Sequence, residues 1–261
     1  MNELPEQADN ENLKSPERWL AALPVYNEVQ YVDGILDEVL RFADDVLVVD
    51  DGSTDGTADV LAKRSDVKVI RHTENRGYGA ALITAFGHTI ENGYAGLVTL
   101  DCDGQHQPKR IPDFVEAAKE TDIVSGSRYL KVYEGDDAPP EERLLINRKI
   151  TAELNERLGF DLTDAFCGFK AYRTEALRRL RITDQGYAMP LQLWVEAAAA
   201  ELRVIELPVP LIYLDLERSF GGALDHAQTR LRYYHQVLDE AIEAVGRDGH
   251  TFPPRPASAC I

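Results

Sequence analysis

The sequence predicts an α/β protein with a Rossmann-like, mostly parallel central sheet flanked by helices. Three observations carry this. Short apolar runs rich in Val, Ile and Leu recur between longer segments of helical period. The runs are continuously apolar rather than alternating, as strands buried on both faces require. The composition is 44% hydrophobic and 28% charged over 261 residues, an ordinary globular balance in a chain long enough to bury a substantial core.

Taken in order, residues 1–17 are polar and read as a disordered leader. The first strand is WLAALP (19–24), followed by a helix from Val29 to Phe42 with Val32, Ile35, Leu36, Val39 and Leu40 on one stripe. VLVVD (46–50) and VKVIRH (67–72) are the second and third strands. A helix from Gly79 to Glu91 stacks Leu82, Ile83, Phe86 and Ile90. GLVTLD (96–101) is the fourth strand, and a helix from Pro108 to Glu120 opens with proline, whose missing N–H costs nothing in a first turn. DIVSGS (122–127) is the fifth strand, and a helix beginning near Glu141 carries Asn147 and Arg148. Leu224 to Val245 is an amphipathic helix, suited to core packing or to docking on a membrane surface. Residues 18–245 read as one domain and 246–261 as a flexible tail. Alternating strands and helices imply right-handed crossovers, with ligands bound beyond the carboxyl ends of the strands.

Lys plus Arg number 28 against 45 Asp plus Glu, a formal charge of −17. A body this acidic repels phosphate backbones and anionic headgroups, so general nucleic-acid binding is not expected, although a local basic patch can still hold one phosphate. Cys102, Cys167 and Cys260 are widely spaced and suggest neither a disulfide framework nor a cysteine zinc site. No apolar run approaches the ~18–20 residues that span a bilayer, and the N-terminus has no secretory h-region. The expected place is the cytoplasm.

The strand ends hold the candidate chemistry. After the first comes Pro24-Val25-Tyr26-Asn27-Glu28, where Tyr26 can border a base and Glu28 can accept a hydrogen bond, or where the chain simply turns into a helix. After the second come Asp50 and Asp51 with a glycine turn; Asp51 is the functional candidate, and Asp55 a structural cap. The stretch Asn75-Arg76-Gly77-Tyr78-Gly79 half-matches a dinucleotide fingerprint, but Leu82 occupies the third glycine position, so the loop is read as presenting Arg76 beside a nucleotide. Asp101-Cys102-Asp103-Gly104-Gln105 places Asp101, Asp103 and Gln105 on one side of an extended segment, an oxygen-donor set suited to Mg²⁺ or Mn²⁺, or else an acidic turn. Cys102 should face the core. Arg128, Arg148 and Arg218 are candidate phosphate contacts or solvated surface charges.

In order, PVYNE, VVDDGSTDGT, NRGYGAAL, LDCDGQHQP, GSRY, DAFCGFKAY and ELPVPLIYLDLERSFGG resemble the family 2 glycosyltransferases of GT-A fold, most nearly the dolichyl- and polyprenyl-phosphate mannosyl- and glucosyltransferases. The resemblance covers roughly residues 18–245. It implies a GDP- or UDP-sugar donor, inversion at the anomeric carbon and a Mg²⁺ or Mn²⁺ cofactor. It places Pro24, Tyr26, Glu28, Asp51, Arg76 and Asp101 at the nucleotide, and Asp101, Asp103 and Gln105 at the metal. It puts Arg128, Arg148 and Arg218 at an acceptor phosphate, and Asp164, with Asp103, near the reacting centre. A polyprenyl-phosphate acceptor implies peripheral contact with the inner face of a membrane. The chain departs from the family in lacking a lysine after Gly222. Transfer to a soluble or protein-bound acceptor, nucleotidyl transfer and a non-catalytic nucleotide-sugar binding module are the rival readings.

Overall fold

The computed structural model describes residues 17–214 and 222–253. Its centre is a seven-stranded sheet of β1 (Trp19–Val25), β2 (Asp45–Asp50), β3 (Lys68–Arg71), β4 (Gly96–Thr99), β5 (Ile123–Ser127), β6 (Lys170–Arg173) and β7 (Val204–Pro208), ordered β3-β2-β1-β4-β6-β5-β7. The helices are α1 (Val32–Val39), α2 (Thr57–Leu61), α3 (Tyr78–Glu91), α4 (Ile111–Ala117), α5 (Glu141–Leu158), α6 (Thr174–Leu177), α7 (Met189–Ala199) and α8 (Ala227–Arg247).

The continuous apolar runs are explained by burial on both faces. On β2, Val46 and Val48 pack with Leu36 of α1 and Phe114 of α4, while Leu47 and Val49 pack with Phe86 of α3 and Leu193 of α7. A third core joins α5, α7 and α8 through Ile150, Leu154, Trp194 and Leu238. The apolar stripe of α8 is spent here: Tyr234, Leu238 and Val245 are buried, and Leu231 and Ile242 pack against them. Core packing is therefore the fate of this helix. Among the described residues no helix is long and apolar enough to cross a membrane.

Two departures from the sequence pattern position the site. The sheet is parallel except for β6, which lies between β4 and β5 and runs against both. Its entry, from Asp164 to Phe169, therefore arrives at the edge where its parallel neighbours finish. The first helix is shorter than its stripe suggests. Tyr31 and Val32 donate to the Glu28 carbonyl, so residues 28–31 form a turn that stays at the site. Residues 1–16 and 254–261 of the predicted leader and tail lie outside the described residues, and α8 continues to Arg247.

Candidate active site

The strand order lays the chemistry out along one edge. The ends of β2 and β1 stand side by side, β4 is next, and the β6 entry and β5 end follow, at roughly 5 Å per strand. A cleft of about 530 Å³ runs along this edge and is lined from each of these segments.

The β1–β2 end is a cross-braced pair of loops. Asn27 has a left-handed φ of 57° and is pinned on both sides: its N–H donates to Ser53 Oγ at 2.9 Å, and its side chain accepts from Thr54 N at 2.8 Å. The turn leaves Pro24, Tyr26 and Glu28 lining the cleft, with Tyr26 41% exposed and Glu28 buried. Asp55 is structural, as expected, accepting from Thr57 N and Val29 N. Asp51 lines the cleft, but its carboxylate also accepts from Arg76 N (3.0 and 3.1 Å), Gly77 N (2.7 Å) and the His72 ring (2.6 Å). This pull turns the Arg76 backbone inward and its side chain out to solvent. Arg76 is exposed and absent from the cleft lining. The loop contributes Asn75, Gly77 and Tyr78 instead. Gly77 has φ 105°, and a Cβ on it would sit 2.3 Å from the Gln185 carbonyl oxygen. Gly77→Ala is expected to cost about 1–3 kcal/mol through backbone strain alone, read as a lowered melting temperature.

Beyond β4, Asp101, Asp103 and Gln105 all line the cleft, and Cys102, packed in the core, borders it from beneath. The turn is fixed from inside: Asp101 N donates to His106 Nδ1 at 2.9 Å, and Gln105 N to Asp103 Oδ1 at 3.0 Å. Tyr78 donates to Asp101 Oδ1 at 3.2 Å, which links this turn to the glycine loop. A Cβ at Gly168 would lie 2.4 Å from Asp101 Oδ2, so a larger residue there would push the carboxylate from its place. Two carboxylates and an amide oxygen facing an open cleft suit a hard divalent ion that keeps positions for waters and phosphate oxygens. Among the described residues no group of three or more His, Cys, Asp or Glu is arranged to hold a metal by itself. Any ion here would need oxygens from a ligand.

At the β5 end, Arg128 forms a two-pronged pair with Asp164, Nε to Oδ2 at 2.6 Å and Nη2 to Oδ1 at 2.9 Å. Asn147 Nδ2 (2.8 Å) and the N–H groups of Arg128 and Phe166 (3.2 Å each) complete the shell of Asp164. Glu206 of β7 anchors the strand entry by accepting from Thr163 N and Asp164 N. Burial opposes the charge on both members of the pair. Their mutual attraction prevails, holding the Asp164 carboxyl below the usual carboxylate range and Arg128 well above its ordinary value. Asp164 is wholly buried and does not line the cleft. It stands behind Arg128, whose guanidinium it holds. The cleft wall here is Arg128, Tyr129, Arg143, Asn147, Arg230 and a set of aromatic residues including Phe166 and Tyr234. Burial pushes the Tyr129 phenol up to about 12, so it stays neutral.

Arg148 is exposed and does not line the cleft. The helical period explains the correction. Arg143, Ile146 and Asn147 are three and four residues apart and share the inward face of α5, whereas Arg148 is turned about 100° further on. Arg143 is the residue the sequence reading missed; its i, i+4 relation to Asn147 was the available signal. The other missed features are Tyr78 and the 184–187 loop. Tyr187 stacks on Tyr78 at 6.1 Å, and Ala80 N donates to the Gln185 carbonyl at 3.2 Å. Arg218 lies outside the described residues.

Comparison with known proteins agrees with this layout. Residues 21–181 match the model of glycosyl transferase family 2. Undecaprenyl-phosphate mannosyltransferase of Micrococcus luteus is 35% identical over 80% of this chain and 90% of its own. Polyprenol monophosphomannose synthase of Mycolicibacterium smegmatis is 30% identical over 77% of this chain and 80% of its own. Among solved structures, glucosyl-3-phosphoglycerate synthase of Mycobacterium tuberculosis with UDP superposes with a TM-score of 0.65 at 19% identity, covering 88% of this chain and 81% of that one. The same enzyme has been solved with Mn²⁺ and with Mg²⁺ beside UDP. The superposition gives the fold, which is GT-A. The family match and the two relatives give the lineage: this chain belongs to glycosyl transferase family 2 and is a glycosyltransferase.

Proposed function

We propose that the protein moves a sugar from a GDP- or UDP-sugar to a polyprenyl phosphate, with inversion at the anomeric carbon and with Mg²⁺ or Mn²⁺. The observation that carries the acceptor class is the state of Asp164. An acceptor hydroxyl needs a general base within hydrogen-bond reach. Asp164 is buried, ionised and fully occupied by Arg128, Asn147 and backbone N–H groups. Among the described residues lining the β5 end of the cleft, the charged ones are Arg128, Arg143 and Arg230. Such a wall suits an acceptor that is already anionic. A phosphate oxygen attacks without giving up a proton, so what it needs is position and charge balance.

In this reading Pro24, Tyr26 and Glu28 border the base and ribose, and Asp101, Asp103 and Gln105 hold the cation. The bound ion would neutralise charge that builds on the departing nucleoside diphosphate. Arg128, kept straight by Asp164, and Arg143 hold the acceptor phosphate in line on the far side of the sugar. The names of the two sequence relatives point to the same acceptor class. Contact with a membrane would then be peripheral and confined to the mouth of the cleft.

Steady-state kinetics with polyprenyl phosphate as acceptor test the assignment of arginines. Arg143→Ala should raise the acceptor KM at least about tenfold, the scale of a charge-assisted hydrogen bond, with donor KM unchanged. Arg148→Ala should behave as wild type. Equal effects of the two would contradict the assignment.

A further inference from the structure

Behind the nucleotide half of the cleft, in contact with Asp51, one buried basic side chain has no part in the reading above. His72 follows β3 and is 7% exposed. Its Nδ1 is 2.6 Å from Asp51 Oδ1, and its Nε2 is 2.9 Å from Thr84 Oγ1. The Thr84 hydroxyl spends its own proton on the Ala80 carbonyl, at 3.0 Å. The hydroxyl thus ties the His72 ring to the first turn of α3. An ionised carboxylate only accepts, so toward it Nδ1 donates.

The remaining capacity of Asp51 is spent on the N–H groups of Arg76 and Gly77. The result is a closed circuit. It runs from the first turn of α3 through Ala80, Thr84, His72 and Asp51 back to the loop that precedes that helix. The loop supplies Asn75, Gly77 and Tyr78 to the cleft wall, and Tyr78 donates to Asp101. Without His72 the Asp51 carboxylate would lose its ring partner, and the loop's anchor would be free to turn.

We propose that His72 is a positioning residue for donor binding: through Asp51 it fixes the 75–78 loop as the wall of the nucleotide pocket. The inference rests on the nucleotide-sugar reading of this half of the cleft. A role confined to folding would lower the melting temperature and leave affinity per folded molecule unchanged. A positioning role moves donor affinity and donor KM while kcat at saturation changes little.

The test is calorimetric binding of GDP and of UDP to the full chain with Mn²⁺, together with donor kinetics and melting temperatures, for wild type, His72→Phe, His72→Asn and Thr84→Val. His72→Phe keeps the ring volume and removes both ring nitrogens; it should weaken binding of the preferred nucleotide by about ten- to a hundredfold. His72→Asn keeps a donor toward Asp51 and should recover most of that loss. Thr84→Val keeps its shape but removes the partner of Nε2. It should weaken binding in the same direction by less, and it serves as the readout if His72→Phe does not fold. Wild-type affinity in folded His72→Phe or in Thr84→Val overturns the positioning role, and so does His72→Asn binding as weakly as His72→Phe. A wild type that binds neither GDP nor UDP overturns the nucleotide reading itself.

Discussion

Asp103→Ala should lower sugar transfer by about a thousandfold or more while the protein stays folded. The reasoning begins with placement. Asp103 is partly exposed, on a turn held by its own carboxylate, which accepts from Gln105 N, and by His106, and lies outside all three cores. Removing it creates no core cavity and costs one turn hydrogen bond, about 1 kcal/mol, so the fold should survive. It does remove one of two carboxylates facing the diphosphate position. Losing several kcal/mol of charge stabilisation in the transition state corresponds to about three decades in rate. Transfer rate against Mn²⁺ concentration, with circular dichroism as the fold control, checks this. Near-normal activity in Asp103→Ala, or in wild type with excess EDTA, would remove the metal from the account.

The second large effect is expected at Asp164, and here stability and activity should fall together. Asp164→Ala leaves the Arg128 guanidinium without its two-pronged partner. Breaking a buried pair from one side costs about 3–5 kcal/mol. The Arg128 side chain keeps 19% exposure toward the cleft, so the lower end of that range applies. In a chain of this size that is a fall of roughly 5–10 °C in melting temperature. The variant should also lose acceptor use, because Arg128 can no longer be held in line. The pH dependence has a definite sign. The folded carboxyl titrates below its unfolded value, so its contribution is complete above the ordinary carboxylate range and is lost as pH falls through the folded value. Melting temperature measured down an acid series should drop more steeply in wild type than in Asp164→Ala. An Asp164→Ala variant as stable as wild type and with full acceptor use would show that Asp164 does not organise this end of the cleft.

Much of this was legible in the residues, and the failures have physical causes. Of the five strands from Trp19 to Ser127, four declare themselves because they are buried on both faces, while β3 lies half-buried at the sheet edge, and their carboxyl ends mark the cleft by topology alone. β6 stays hidden because KAYR is four residues long and its direction depends on pairing with β4 and β5, which are distant in sequence. That reversal is what carries Asp164 to the site, and it explains why the aspartate was found while its depth was not. Asp101, Asp103 and Gln105 were legible from alternation in an extended segment. The arginines were harder, since a cation reads alike whether it faces a cleft or water. Arg76 is turned out by the hydrogen bonds of its own backbone, and Arg148 falls one helical step from the inward face that Arg143 and Asn147 share. Asp51 reads as a free carboxylate until the fold brings His72 to it from the next strand.

The acceptor class is the claim on which the account turns, and product analysis tests it directly. Purified protein would be incubated with Mn²⁺ and a panel of labelled GDP- and UDP-sugars. Each donor would be offered a polyprenyl phosphate, the corresponding free polyprenol and a small soluble phosphate such as 3-phosphoglycerate. The account predicts label on the polyprenyl phosphate from at least one donor, none on the free alcohol, and loss of that product in Arg128→Ala. Label on the free alcohol would require a general base that the described residues of the β5 end do not offer, and would contradict it; so would label on the soluble phosphate alone.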